Sequence, residues 1–191
     1  MMEMLEQLII SIYQASSFVI IKEKKILLHQ VLIYMRPLSS LDIKRYYKKR
    51  NNKYFSNCIP KDLLQYESMK YKYVKPEHLK KFWIVNLDNS LGEGTHWVLC
   101  SLLDNQEAVY FDSYGLPPPL EVIAFLKKYR KNIKYNTEDF QPINSSTCGY
   151  WCLFFGNELS KGLKFENILD TFTDKVRYND DTMEQYFENK F

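Results

Sequence analysis

Cys148, His96, Asp112 and Gln141 are the residues of this sequence whose types and order could do chemistry together. Acyl transfer through a thiol needs a nucleophile, a base, a group that orients the base, and a donor for the oxyanion of the tetrahedral intermediate. Cys148 follows the capping run Asn144-Ser145-Ser146-Thr147 and precedes an apolar stretch. It is therefore expected at a helix N-terminus, where unpaired N–H groups and the helix dipole favour an anion. Gly149 directly after it would let a neighbouring segment approach closely. His96 opens the apolar stretch Trp97-Val98-Leu99-Cys100, and Asp112 closes the next one. If the two stretches pair as a hairpin, imidazole and carboxylate meet at one end, and the carboxylate can fix the imidazole tautomer. Gln141 lies in the loop entering the Cys148 helix, within reach of an oxyanion near the Cys148 N–H. Singly, each has a plainer reading: a buried cysteine, a satisfied histidine, a turn aspartate, a solvated glutamine. The ordered set of four is the signal.

The elements that must position these residues can be placed by pattern. Met1, Met4, Leu5, Leu8, Ile9 and Ile12 share one helical face, which predicts an amphipathic N-terminal helix. Two apolar runs, 18–21 and 26–35, follow as a hairpin or a helix pair, and Pro37 ends the section. Residues 38–81 are polar, basic and Tyr-rich, with a helix expected from Ser40 to Lys49 capped by Ser40. Phe82 to Leu87 reads as a buried strand, 88–94 as a loop, and His96 to Leu103 and Ala108 to Asp112 as two further strands. Pro119 is expected to start a helix with Val122, Phe125, Leu126 and Tyr129 on its buried stripe. A strand is expected near Lys134 to Asn136. A strongly apolar helix runs from Cys148 or Gly149 to about Ser160 and stops at Gly162. Amphipathic segments near 168–176 and 183–191 close the chain. The expectation is one α+β domain over 38–191 with an arm over 1–37.

Composition bounds the alternatives. In 191 residues, 46% are hydrophobic and 16% aromatic, with 15 Tyr and 12 Phe, which excludes disordered and fibrous classes. The 26 basic and 23 acidic residues leave a net charge of +3, too little by itself to imply nucleic-acid binding. Four cysteines, Cys58, Cys100, Cys148 and Cys152, without a secretory leader read as reduced thiols in an intracellular compartment. There is no CxxC pair, and His29, His78 and His96 lie far apart, so no metal site is expected. The longest uncharged apolar stretch, about 8–21, is too short to span a bilayer.

The stretches Gly94-Thr95-His96-Trp97, Tyr110-Phe111-Asp112-Ser113-Tyr114-Gly115, Gln141, and Cys148-Gly149-Tyr150-Trp151-Cys152 resemble the adenovirus-type and Ulp1-type cysteine peptidases. The likeness is nearest to the adenain-like maturation proteases of adenoviruses, virophages and Polinton/Maverick-type DNA transposons. Leu41-Asp42-Ile43 and Ile84-Val85-Asn86-Leu87-Asp88 resemble that group too, and the resemblance extends over about residues 38–162. It implies the peptidase fold with a central mixed sheet flanked by helices, a Cys-His-Asp triad with Gln141 at the oxyanion hole, and cleavage of virion or capsid precursor proteins after small residues such as Gly-Gly. Residues 1–37 have no counterpart. The adenovirus enzyme is activated by a peptide disulfide-linked to a cysteine between its acid and its nucleophile. No cysteine lies between Cys100 and Cys148 here, so that route is not expected. Asp112, where adenoviruses carry glutamate, resembles the Ulp1 side.

Gly94, Trp97, Gly149 and Trp151 are the expected substrate-binding residues, the two indoles walling a cleft narrow enough to favour glycine. Lys44, Arg45, Lys48, Lys49, Arg50 and Lys53, interleaved with Tyr46, Tyr47 and Tyr54, form a basic patch that could track phosphates, so DNA is a candidate partner and activator; a solvated helix face is the plainer reading. No cofactor is required. The expected protein is a monomer acting on a protein substrate, in a virion or in the host cytoplasm or nucleus. Alternatives carried alongside are a deconjugating protease for ubiquitin-like proteins, an acyltransferase with the same Cys–His pair, and a binding module on a peptidase fold.

Overall fold

A computed structural model describes residues 36–188 and 190. The chain divides into two units, Met1–Arg36 and Pro37–Phe191, and the fold described is that of the second. The expected N-terminal helix and the two apolar runs before Pro37 lie outside the described residues.

Five strands form one mixed sheet: β1 (Phe55–Pro60), β2 (Phe82–Asn86), β3 (Trp97–Ser101), β4 (Glu107–Phe111) and β5 (Asn132–Tyr135), in that spatial order. The outer pairs β1–β2 and β4–β5 are parallel and the two central junctions antiparallel. Helices cover both faces, so β2 is buried at every position and reads in sequence as a continuous apolar run rather than an alternation. On one face Trp83, Val85, Val98, Cys100, Ala108 and Tyr110 pack with Val122, Phe125 and Leu126 of helix α3 (Leu120–Leu126) and with Leu64 of the single-turn helix α2 (Leu64–Glu67). On the other face, α1 (Ser40–Arg50) brings Tyr47 against Phe55 and Phe82, and α4 (Cys148–Ser160) stacks Phe155 on Phe111 with ring centroids 3.7 Å apart. Two helices follow, α5 (Phe165–Leu169) and α6 (Val176–Phe187).

Several boundaries differ from expectation for identifiable reasons. The cap of α1 is Ser39, not Ser40: Ser39 and Asp42 form a reciprocal capping box, with the Asp42 N–H donating to Ser39 Oγ at 3.2 Å and the Ser39 N–H to Asp42 Oδ2 at 2.9 Å. Pro119 is the N-cap residue and Leu120 the first helical one. Strand β1 is not foreseen by pattern because Ser56 and Asn57 give it a polar look. Their side chains donate to the buried carboxylate of Glu67, which also takes the Trp83 indole N–H at 3.1 Å. The closing helices start earlier than expected because α6 turns Asn179 and Asp180 inward beside Met183 and Phe187, so polar residues occupy part of its buried face and blur its apolar period.

Helix α4 lies close to α1 and β2 at Gly156, where a Cβ would come within 2.5 Å of Tyr47 Oη and 2.8 Å of Phe82 Cε2. The Tyr47 hydroxyl is itself held by the Leu153 carbonyl at 3.2 Å. Gly156→Ala is therefore expected to cost about 1–3 kcal/mol despite the better helix propensity of alanine, seen as a lower urea midpoint at unchanged denaturant slope. An unchanged or higher midpoint would show that the contact relaxes freely.

Candidate active site

Strand register brings the base and its partner together. β3 and β4 pair Leu99 with Phe111 and Cys100 with Tyr110. His96 and Asp112 therefore lie just beyond the paired ends of two adjacent strands, at the same end of the sheet. His96 Nε2 and Asp112 Oδ1 are 2.8 Å apart. Asp112 is fully buried and its carboxylate is held on every side: Oδ1 also accepts the Tyr114 N–H at 2.8 Å and Oδ2 the Tyr110 hydroxyl at 3.2 Å. Its backbone is fixed by Asn136, whose Oδ1 accepts the Asp112 N–H at 3.1 Å and whose Nδ2 donates to the Asp112 carbonyl at 2.6 Å.

Cys148 is the first residue of α4 and half-buried. It lines a cleft of about 740 Å³ together with His96, Trp97, Gly94, Tyr114 and Lys44. The first-turn N–H groups of an α-helix have no intrahelical acceptor, so the thiol stands where backbone donors converge. Burial alone would lower the His96 pKa, but its interactions with the Asp112 carboxylate and the Cys148 sulfur outweigh that and push it up to about 9. The imidazole is thus protonated at neutral pH, the state that pairs with a thiolate. Cys58, Cys100 and Cys152, by contrast, are buried and burial pushes all three thiols up, which leaves Cys148 as the one cysteine that is not buried.

The loop ahead of Cys148 is fastened at its side chains. Asp180 of α6 accepts from Ser145 Oγ at 2.6 Å, from the Thr147 hydroxyl, and from the Trp151 indole at 3.2 Å. Thr147 therefore makes no side-chain cap to α4, although it occupies the N-cap position. Gln141 is held from behind: Oε1 accepts from Ser113 Oγ at 2.8 Å, and Nε2 donates to the Ser145 carbonyl at 2.8 Å and to the Tyr114 hydroxyl at 3.1 Å.

The structure thus gathers His96, Asp112 and Cys148 at one end of the sheet, with Gln141 behind them. Gln141 is 1% exposed, and its Nε2 donates to the hydroxyl of Tyr114, which lines the cleft. Gly94 adopts φ +92° in the cleft wall, and Trp97 lines it, with its indole donating to the Leu38 carbonyl at 2.8 Å. The expectation that Trp151 walls the cleft is corrected: it is fully buried, packed on Phe140 and Phe172 and bonded to Asp180. Gly149 is also inside, and its α-carbon is the point where Leu38 and Trp97 press on α4, a Cβ there coming within 3.0 Å of Leu38. Of the basic patch only Lys44 reaches the cleft. Arg45, Lys48 and Lys49 are exposed on α1, and the basic last turn complements the helix dipole. Arg50 lies over the Tyr46 ring at 3.7 Å and donates to the Lys190 carbonyl at 2.8 Å, while Lys53 sits beyond the helix over Tyr54.

Pattern reading missed Tyr114 and Asp180. The ring of Tyr114 stacks on His96 with centroids 4.7 Å apart. Nothing in sequence pointed to Asp180, whose partners lie more than a helix away along the chain.

No protein-family model matches the chain, and neither does any curated protein. Among solved structures, 18 chains are similar. The ASFV pS273R protease is 21% identical with a TM-score of 0.48, covering 75% of this chain and 65% of that one. The SUMO protease Ulp1, with its catalytic cysteine oxidised to a sulfenic acid, is 14% identical with a TM-score of 0.44, covering 78% of this chain and 76% of that one. AvrA, with IP6 and CoA, is 15% identical with a TM-score of 0.44, covering 81% and 61%. The chain thus spans just under two thirds of the length of the ASFV protease. What this site does has to follow from its own geometry.

The His96 titration is directly measurable. Of the three histidines, His29, His78 and His96, the NMR signal lost in His96→Ala is expected to titrate near pH 9. Asp112→Asn should lower that midpoint by at least about one pH unit, since a neutral amide no longer favours the imidazolium. A midpoint near the ordinary histidine value in both proteins would show that the pair does not interact in solution.

Proposed function

We propose that the chain is a cysteine peptidase with Cys148 as nucleophile, His96 as acid–base and Asp112 as the group that orients the imidazole. The observation that carries this is an exposed-edge thiol at a helix N-terminus sharing a cleft with an imidazole that a fully buried carboxylate holds at 2.8 Å. In the first half-reaction the Cys148 thiolate attacks the substrate carbonyl carbon and the carbonyl π pair moves to oxygen. Collapse breaks the C–N bond as His96 gives its proton to the leaving amine, leaving a thioester. Water, deprotonated by His96, then attacks the thioester and releases the acid and the thiolate. Asp112 keeps its charge throughout and stabilises the imidazolium.

The substrate we propose is a virion or capsid precursor protein cut after small residues such as Gly-Gly. The resemblance of the motifs around His96, Asp112 and Cys148 supports it, and Gly94, Trp97 and Leu38 line the cleft beside the thiol. DNA as an activator belongs to the same proposal, resting on the exposed Arg45, Lys48 and Lys49 of α1.

A fluorogenic peptide ending in Gly-Gly, with and without DNA, tests the reading. Wild type should turn it over, and Cys148→Ala should lower kcat by more than about 10⁴-fold with the fold intact by circular dichroism. Retained cleavage in the alanine variant would sink the assignment. The alkaline limb of the wild-type profile has a definite sign. His96 carries its proton below about pH 9 and loses it above, so kcat/KM should fall as pH rises through that value. Activity that keeps rising beyond pH 10 would remove His96 from the general-acid role.

A further inference from the structure

Attack on a carbonyl is fastest when the donors for the oxyanion are in place before the substrate arrives. At the start of α4, the N–H groups of Tyr150 and Trp151 are taken by the Thr147 carbonyl, at 2.8 and 3.1 Å. Those of Cys148 and Gly149 have no acceptor among the described residues. Thr147, just before them, has a backbone unusual for its place. As N-cap residue it has φ −88° and ψ 0° and makes no side-chain cap. A capping threonine is instead extended, and its hydroxyl takes the N–H of the second or third helical residue, here Gly149 or Tyr150. A group outside the helix must hold Thr147 away from that conformation.

We propose that Asp180 of α6 is that group, a positioning residue that keeps the Cys148 and Gly149 N–H groups open for the oxyanion. This deepens the peptidase reading and rests on it. The Asp180 carboxylate is buried and collects three donors that bracket the nucleophile. Oδ2 accepts from Ser145 Oγ at 2.6 Å, and Oδ1 accepts from the Thr147 hydroxyl and from the Trp151 indole at 3.2 Å. Two of these residues precede Cys148, and the third lies about one helical turn after it. A carboxylate only accepts, at two oxygens, so it suits three donors where an amide would turn one N–H₂ group against them. Asn179 sets the start of α6 for this contact: its Nδ2 donates to the Thr173 carbonyl at 2.7 Å and its Oδ1 accepts the Thr173 N–H at 3.1 Å.

Losing that hold has consequences on both sides of one bond. The observed and the capping conformations of Thr147 differ in ψ, by more than about 100°. A turn about that bond moves the Thr147–Cys148 peptide, and with it the Cys148 N–H, or else it moves the chain before it. That chain carries Ser145, whose carbonyl accepts Gln141 Nε2 at 2.8 Å, and the resemblance of the motifs puts the Gln141 amide at the oxyanion hole. The backbone donors and the side-chain amide thus depend on the same carboxylate. A freed Thr147 hydroxyl would in addition compete with the oxyanion for the Gly149 N–H. None of this reaches the Cys148–His96–Asp112 set, whose contacts are made by other residues.

Asp180→Ala removes the acceptor. With the fluorogenic peptide, kcat should fall by about 10²-fold at nearly unchanged KM, the cost of misplacing a group by about 1 Å. Alkylation of Cys148 by iodoacetamide, which forms no oxyanion, should keep the wild-type rate. Inhibition by a peptide aldehyde, whose thiol adduct carries the tetrahedral oxygen, should weaken in step with kcat. Adding Thr147→Val to Asp180→Ala takes away the hydroxyl that would cap the helix, and about tenfold of the lost kcat should return, since capping needs a side-chain oxygen. Asp180→Asn keeps the shape of the side chain and carries the test if the alanine variant does not fold; its kcat should fall by about tenfold or more, again without loss of alkylation. A kcat within about threefold of wild type in the folded variants would overturn the assignment. So would a fall in kcat matched by a fall in alkylation, or a double variant no better than Asp180→Ala, which would mark a general loosening of the fold. Wild-type protein that cleaves no better than Cys148→Ala would overturn the peptidase reading itself and this inference with it.

Discussion

An imidazole cannot be held 2.8 Å from a buried carboxylate unless the two strands that carry them keep their register. A slip of one residue would send every side chain of β3 or β4 to the opposite face. It would carry His96 away from Asp112 and expose the Val98-Cys100 and Ala108-Tyr110 pairs that make the core. The apolar pattern of the central strands, which exists to fill both faces of the sheet, therefore also sets the acid–base geometry. Packing and chemistry impose the same register, and neither can drift without the other.

The position of Cys148 depends on a second constraint, the placement of α4 over the sheet. Phe155 stacked on Phe111 and the bare α-carbon of Gly156 against Tyr47 and Phe82 fix the helix in depth. At its other end Gly149 admits Leu38 and Trp97, which ties the start of the helix to the cleft wall. Between the helix and the strands, the polar loop is satisfied internally. Ser113, Gln141, Tyr114 and Ser145 form one continuous chain of hydrogen bonds, and among the described residues no buried side-chain nitrogen or oxygen is left without a partner. Such a network holds its members in place because breaking any bond strands a buried polar group.

Much of this was legible in the sequence wherever one periodicity dominated. β2, β3 and β4 are dense apolar runs, α4 is largely apolar with capping residues before it, and the α+β class followed from them, while the mixed sheet followed from the resemblance of the motifs. The gathering of His96 and Asp112 at one strand end was legible for the same reason, since a short polar turn makes a hairpin the default. What escaped were elements whose polar residues are satisfied by partners far along the chain. β1 was not foreseen because Ser56 and Asn57 answer to Glu67, and α6 was misplaced because Asp180 answers to Ser145, Thr147 and Trp151. Trp151 was misread because its place is set by partners far along the chain, Phe140, Phe172 and Asp180, which hold it inside the core rather than in the cleft. Gln141 was placed in the right loop, but its bonds to Ser113 and Tyr114 join segments far apart along the chain, which spacing alone does not show.

The anchoring of the nucleophile's loop by Asp180 also has a temporal side. Synthesis runs from the N-terminus, so His96, Asp112 and Cys148 all leave the ribosome before Asp180 does. Until α6 docks, Ser145 and Thr147 lack the carboxylate that fixes them, and the loop beside the thiol has no settled shape. The last of these groups to be made completes the site, so a nascent chain carries every reactive group some time before it holds them in working order.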